Sequence, residues 1–285
     1  MALTAILFPG QGSQVPGMRE QVERVRPDLL ELVAGAVGED PFARVEEGTR
    51  FAQPAIFCAS LAGWTELGRP DGDFMAGHSL GELGALVAAG CLQEDDGVRL
   101  VALRGRLMQE AGERAALDGE EGPAGGMLAL LGPGAAEHAP TLAEEHGLAV
   151  ANDNCPTQVV LSGRRSSLPS AARAARELGL RPMEVPVTGA FHSPMMQPAV
   201  AQFAAALEGV RLYPGRVPVM SAVTAEPFDD VRARLAEALV RPVRWRETLL
   251  ELRARGVERF IEVGPGRVLT GLVKRTLSDV ELVHA

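Results

Sequence analysis

Residues 73–90 read Asp-Phe-Met-Ala-Gly-His-Ser-Leu-Gly-Glu-Leu-Gly-Ala-Leu-Val-Ala-Ala-Gly. The order of side-chain types in this stretch decides the fold class. Phe74-Met75-Ala76 is a short apolar run of strand length, and Leu83 to Ala89 is patterned as a helix. Between them, Gly77-His78-Ser79-Leu80-Gly81 is a Gly-x-Ser-x-Gly sequence. A serine on a tight strand-to-helix bend needs glycine on both sides, because a Cβ there clashes within the bend. On such a bend the Ser79 hydroxyl projects into a cleft, and the backbone N–H of Leu80 faces the place where an oxyanion forms. The N-terminus of the following helix adds partial positive charge at the same point. The competing reading is an ordinary turn; the strand before and the helix after favour the bend.

Working outward, Leu3 to Phe8 is a second short apolar run, stopped by Pro9-Gly10, and reads as a buried strand. Helical spacing covers 17–37, the stretch after Gln53-Pro54 through Trp64, and 98–112, with Gly112 expected to close the last of these. From 113 to 126 the chain turns polar and glycine-rich and reads as a linker or a mobile loop. Strand and helix patterns then alternate as β-α-β-β-α-β up to Val187, which is the ferredoxin-like arrangement. Helical patterns follow at 197–209, 229–240 and after Arg244, with a strand near 217–223 and a strand followed by a turn over Phe260 to Gly266. The expected organisation is therefore a large α/β domain built from residues 1–112 and 191–285, interrupted by a small α+β domain at 113–190. A length of 285 residues suits this division, at ~150 residues per domain.

Composition narrows the function. With 28 basic and 37 acidic residues the chain carries a net charge of −9, which disfavours nucleic acid as a partner. No apolar run approaches the ~20 residues of a membrane span, and the N-terminal stretch does not read as a signal peptide, so a cytoplasmic location is expected. Cys58, Cys91 and Cys155 are scattered and odd in number, which argues against a disulfide framework or a paired-cysteine metal site.

A serine hydroxyl needs a base. Of the five histidines, His78 lies inside the bend and should point away from Ser79, His138 and His146 read as solvated, and His284 reads as frayed. His192, in Thr188-Gly-Ala-Phe-His-Ser-Pro-Met-Met196, remains as the candidate base. Phe8-Pro-Gly-Gln-Gly-Ser-Gln14 follows the first strand, where open α/β sheets bind ligands, and its Gln11 amide is a candidate second oxyanion donor. It lacks the lysine and the spacing of a phosphate loop. Arg104 projects toward the apolar face of its helix and so needs a partner, either a structural carboxylate or a substrate carboxylate.

Taken together, FPGQGSQ, GHSLGE, RGRLMQ, AFHSPMM and EVGPGRVLTGLVKR resemble the malonyl-CoA:acyl carrier protein transacylases and related polyketide acyltransferase domains. The matches run from residue 8 to 275. The resemblance implies an α/β-hydrolase-like large domain with a ferredoxin-like insertion. It also implies malonyl transfer from malonyl-CoA to the phosphopantetheine thiol of a holo acyl carrier protein. In these terms Ser79 is the acyl acceptor, His192 its base, Gln11 and Leu80 the oxyanion amides, and Arg104 the clamp on the malonyl carboxylate. The backbone carbonyl of Ala238 would orient His192, and Phe191 would disfavour a branched acyl group. No metal or redox cofactor is implied, a monomer is expected, and Arg267, Lys274 and Arg275 are candidates for carrier contact. A stand-alone polyketide acyltransferase and an acyl hydrolase that clears carrier proteins are the alternatives.

Overall fold

A computed structural model describes residues 2–114 and 124–284, with the backbone alone at Arg114. Strand β1 (Leu3–Phe8) is the centre of a parallel sheet. It pairs on one side with β2 (Phe74–Gly77) and on the other with β8 (Val257–Glu262). With β7 (Val219–Met220) and β9 (Glu281–His284) the order is β7-β2-β1-β8-β9. The alternation of strand side chains divides the core. Ile6, Phe8 and Met75 face one apolar cluster, and Ala5, Leu7 and Ala76 face another. The first cluster is closed by α1 (Met18–Val25), α2 (Pro27–Val37), α3 (Thr49–Glu66), α4 (Gly81–Ala88), α5 (Glu94–Arg114) and α8 (Gln197–Glu208). The second is closed by α10 (Trp245–Ala254) and α11 (Val268–Thr276). In register, Phe8 lies beside Gly77 and Leu7 beside Glu262, so the loops leaving β1, β2 and β8 meet at one end of the sheet.

A second sheet of order β4-β5-β3-β6 is antiparallel throughout. Its strands are β3 (Gly125–Leu131), β4 (Ala149–Cys155), β5 (Gln158–Arg164) and β6 (Arg181–Glu184). Helices α6 (Ala135–Glu145) and α7 (Leu168–Glu177) cover one face through Leu128, Leu130, Val159 and Leu161. Met127, Ala129 and Val160 on the other face join the main core. This is the ferredoxin-like order that the alternating pattern implies. The edge strand β4 is tied to the large domain: Val243 N–H donates to Ala151 O at 2.8 Å, and Asp153 N–H donates to Val243 O at 2.9 Å. The Asp153 carboxylate also receives Arg246 at 2.7 Å.

Several expectations need correcting. The helix over 17–37 is two helices, because Pro27 excludes Arg26 from helical geometry and Arg26 sits at φ −143° and ψ 63°. Helix α3 begins at Thr49 and carries Pro54 inside it. Gly112 does not close α5; a Cβ there would lie 2.9 Å from Thr188 O, so the glycine admits a crossing chain. The helix expected over 229–240 is shorter, α9 (Val231–Glu237), and capped by the Asp230 side chain. His284 is not frayed: it belongs to β9, and its Nε2 hydrogen-bonds to Gly266 O. His146 is half-buried and hydrogen-bonded to Ser170 rather than solvated. The middle of the expected linker, 115–123, lies outside the described residues.

Candidate active site

Ser79 occupies the bend between β2 and α4 at φ 55°, a left-handed conformation that non-glycine residues rarely adopt. The glycines around it make this possible. A Cβ on Gly77 would lie 2.0 Å from Gly81 C, one on Gly81 2.1 Å from Phe8 O, and one on Gly10 2.6 Å from His78 O. The bend is thus locked against the end of β1 and can be made with nothing larger. Its neighbour His78 points away, as expected: Nε2–H donates to Asn154 Oδ1 at 2.8 Å, and the ring meets Trp245 edge-on at 5.4 Å.

His192 comes from a loop remote in sequence and is also left-handed, at φ 58°. The loop threads between α5 and β3. A Cβ on Gly125 would lie 2.7 Å from Ala190 N, so that glycine, like Gly112, makes room for the passage. The buried Ser193 hydroxyl donates to Ala190 O at 2.6 Å and fixes the turn. Phe191 is buried in the main core beneath the loop.

The two loops bring the serine and the imidazole together. Ser79 Oγ and His192 Nε2 are 2.8 Å apart, and His192 Nδ1 is 2.7 Å from Ala238 O. A carbonyl only accepts, so Nδ1 carries the proton and Nε2 is left free to accept the Ser79 proton. Arg104 Nη2 donates to the same Ser79 Oγ at 3.0 Å, and Nη1 donates to Gln53 Oε1 at 2.8 Å. Arg104 makes no ion pair among the described residues, although only 3% of it is exposed. Gly105 beside it is explained by packing: a Cβ would lie 2.8 Å from Thr49 O, so α5 crosses α3 closely at this point.

The N–H groups of Leu80 and Gln11 donate to no backbone acceptor among the described residues. The Gln11 side chain is occupied, its Nε2 donating to Thr49 Oγ1 at 3.1 Å. The free donor at Gln11 is therefore the backbone amide. The C-terminal loop supports this region: a Cβ on Gly266 would lie 2.7 Å from Ser13 O.

Burial, then the Arg104 charge, push the His192 pKa down to about 3, so the ring is neutral at physiological pH and ready to accept a proton. Burial lowers Arg104 to about 10, partly offset by Glu82, and leaves it a cation. Glu82 itself, buried on the first turn of α4, is raised to about 7 by desolvation.

Gln53 and Glu82 are the site-neighbouring residues that the sequence reading did not single out. A signal existed for each. Gln53 is a lone amide in the apolar run Phe51 to Trp64, and Glu82 is a carboxylate inside an otherwise apolar helix. Both are buried, and such groups require partners. Among the described residues no group of three or more His, Cys, Asp or Glu side chains is placed to hold a metal ion. No described helix is long and apolar enough to cross a membrane.

Residues 33–284 match the family model described as acyl transferase domain. The polyketide biosynthesis protein ThaF of Burkholderia thailandensis is 38% identical over 97% of this chain, which spans 24% of that protein's length. The malonyl CoA-acyl carrier protein transacylase of Bacillus subtilis is 37% identical over 96% of this chain and 90% of its own. Among solved structures, the malonyl CoA-acyl carrier protein transacylase of Clostridium perfringens superposes with a TM-score of 0.89 at 30% identity, covering 100% of this chain and 93% of that one. A malonyl-transacylase solved in complex with its type II PKS acyl-carrier protein gives 0.87 at 32% identity, covering 100% and 96%. With the serine, imidazole and guanidinium gathered on a fold of this likeness, the chain belongs to the malonyl CoA-acyl carrier protein transacylase family of acyl transferase domains.

Proposed function

We propose that the protein transfers a malonyl group from malonyl-CoA to the phosphopantetheine thiol of an acyl carrier protein, through a malonyl ester on Ser79. The observation that carries this reading is the position of one oxygen. Ser79 Oγ is held between the His192 Nε2 lone pair and the Arg104 guanidinium. A hydrolase of uncharged acyl chains has no use for a buried cation there; an acyl group ending in a carboxylate does.

The steps follow from the geometry. The malonyl carboxylate takes Arg104, which withdraws the Nη2 donor from Ser79 Oγ and frees a lone pair for attack. The same pairing cancels part of the Arg104 charge that depresses His192, so the base strengthens as the substrate seats. His192 accepts the Ser79 proton as Oγ attacks the thioester carbonyl. The Leu80 and Gln11 N–H groups receive the oxyanion, at ~3 kcal/mol for each donor. CoA leaves with the proton from His192. The carrier thiol then attacks the ester with His192 again as base, a ping-pong cycle. Ala238 O steadies the imidazolium. Phe191 disfavours an α-methyl branch by ~1–3 kcal/mol.

Arg267, Lys274 and Arg275, exposed on and beside α11, are the proposed contacts for an acidic carrier surface. The reading takes residues 113–190 as the inserted domain and the enzyme as a cytoplasmic monomer without a cofactor. Names among the relatives include polyketide biosynthesis, and the transfer chemistry is the same in fatty-acid synthesis. The test is CoA release from malonyl-CoA with and without holo carrier protein. Release limited to one equivalent until carrier is added is the expected result. Continuous release into water alone identifies a hydrolase and overturns the proposal.

A further inference from the structure

Two glutamates among the described residues are almost wholly buried, Glu82 and Glu262, each 1% exposed, and they are held differently. Glu262, at the end of β8, has both oxygens occupied: Leu269 N–H donates at 2.9 Å and Thr270 N–H at 2.7 Å, from the first turn of α11. Glu82 is half satisfied. Ala222 N–H donates to Oε1 at 2.8 Å, while the buried Oε2 has no partner among the described residues. A buried carboxylate oxygen without a donor is costly. Glu82 stands three residues after Ser79, whose hydroxyl binds Arg104. Arg104 is the complementary case, a buried guanidinium whose hydrogen-bond partners are the neutral Gln53 and Ser79. Each is one half of a charge pair that does not touch.

We propose that Glu82 is a positioning residue of the acyl site: its carboxyl is the partly ionised counter-charge of Arg104 in the free enzyme, and it becomes fully protonated when a substrate carboxylate claims Arg104. The inference rests on the malonyl reading above. In the free site the Arg104 cation and the Glu82 carboxyl act on each other through the buried interior without a hydrogen bond or ion pair between them. A malonyl carboxylate paired with Arg104 brings a second anion to bear on the same cation, and the least costly neutralisation is a proton on the buried Glu82 oxygen that lacks a donor. Desolvation already holds Glu82 near 7, so that proton is available at neutral pH. Among the described residues Arg104 on α5 is the one charged group acting on Glu82, the Ala222 N–H beyond β7 holds its other oxygen, and His78 and His192 are kept neutral by burial. Exchange of a thioester for a serine ester releases CoA as a thiol and consumes no proton, so any uptake reports on the site. An acetyl group brings no carboxylate and calls for none.

The experiment loads the full chain with malonyl-CoA or acetyl-CoA in weakly buffered solution at pH 7, with an indicator dye, while intact mass counts acyl-serine. The expected result is uptake of a fraction of one proton for each malonyl-serine and none for each acetyl-serine. Malonyl-serine formed without uptake overturns this proposal and leaves the transferase reading standing; no malonyl-serine overturns the transferase reading itself. Glu82→Gln keeps an acceptor for Ala222 N–H and removes the charge. It should abolish uptake and shift the ratio of KM for malonyl-CoA to KM for acetyl-CoA several-fold toward malonyl. A Glu82→Gln enzyme with native uptake, or with kcat lowered alike for both acyl groups and the KM ratio unmoved, contradicts the proposal. If that variant does not fold, the native measurement decides alone.

Discussion

The site rests on two bends, at Ser79 and at His192, with nearly the same left-handed backbone angle, 55° and 58°. They reach it by different means. The Ser79 bend is made by its immediate neighbours: Gly77 and Gly81 leave the space, and the end of β1 closes over them. The His192 bend is made by remote parts of the chain, with Gly112 on α5 and Gly125 on β3 opening the passage and the Ala238 carbonyl fixing the ring. The difference teaches that a nucleophile can be written locally, whereas its base is placed by the whole domain.

The largest effect expected is at the local bend. Gly81→Ala puts a Cβ onto Phe8 O at 2.1 Å and should yield no folded protein, read by circular dichroism and yield. The equivalent change at the remote bend, Gly125→Ala, drives a Cβ to 2.7 Å from Ala190 N but should fold, at a cost of ~1–3 kcal/mol, with kcat reduced. A folded, active Gly81→Ala enzyme would erase the contrast. His192→Ala should lower kcat/KM by ~10²–10⁴, since it removes the base and leaves the oxyanion donors. Arg104→Ala comes next. Loss of a charged hydrogen-bond pair of ~1.5–3 kcal/mol should reduce malonyl transfer by roughly 10–100-fold, and acetyl transfer should gain relative to it. Unchanged malonyl transfer would break the clamp assignment.

The distinction shows how far sequence alone reaches. The bend at Ser79 was legible because its glycines are adjacent to it, and β1 and the ferredoxin-like alternation were legible because their patterns are local. His192 was found by elimination among five histidines, and Ala238 by resemblance alone, because a carbonyl acceptor leaves no mark in side-chain identity. Gly112 looked like a helix end because its reason, the passage of residue 188, lies far along the chain. Glu82 and Gln53 carry a sequence signal, a polar side chain in an apolar stretch, but the partners that make them part of the site come together only in the fold.

Two smaller effects sharpen the picture. Burial of neutral His192 means that the unfolded chain binds a proton at about 6.5 while the folded one does not until about 3, so its contribution to stability is lost as pH falls through that range. Glu82 has the opposite sign: its folded pKa of about 7 exceeds the unfolded 4.5, so stability is present below 4.5 and lost as pH rises through 7. The Tm of Glu82→Gln relative to the native protein should therefore climb between pH 4.5 and 7; a constant difference would show that Glu82 does not titrate there. The smallest effect is expected of Ala238→Gly, which keeps the carbonyl and should change kcat by no more than about twofold.

The most direct test of the account is to expose the protein to malonyl-CoA, trap the adduct by acid quench, and map it by peptide mass. One malonyl group on the peptide containing Ser79, absent from Ser79→Ala, is the predicted result. A malonyl group on any other residue, or undiminished labelling of Ser79→Ala, would contradict it.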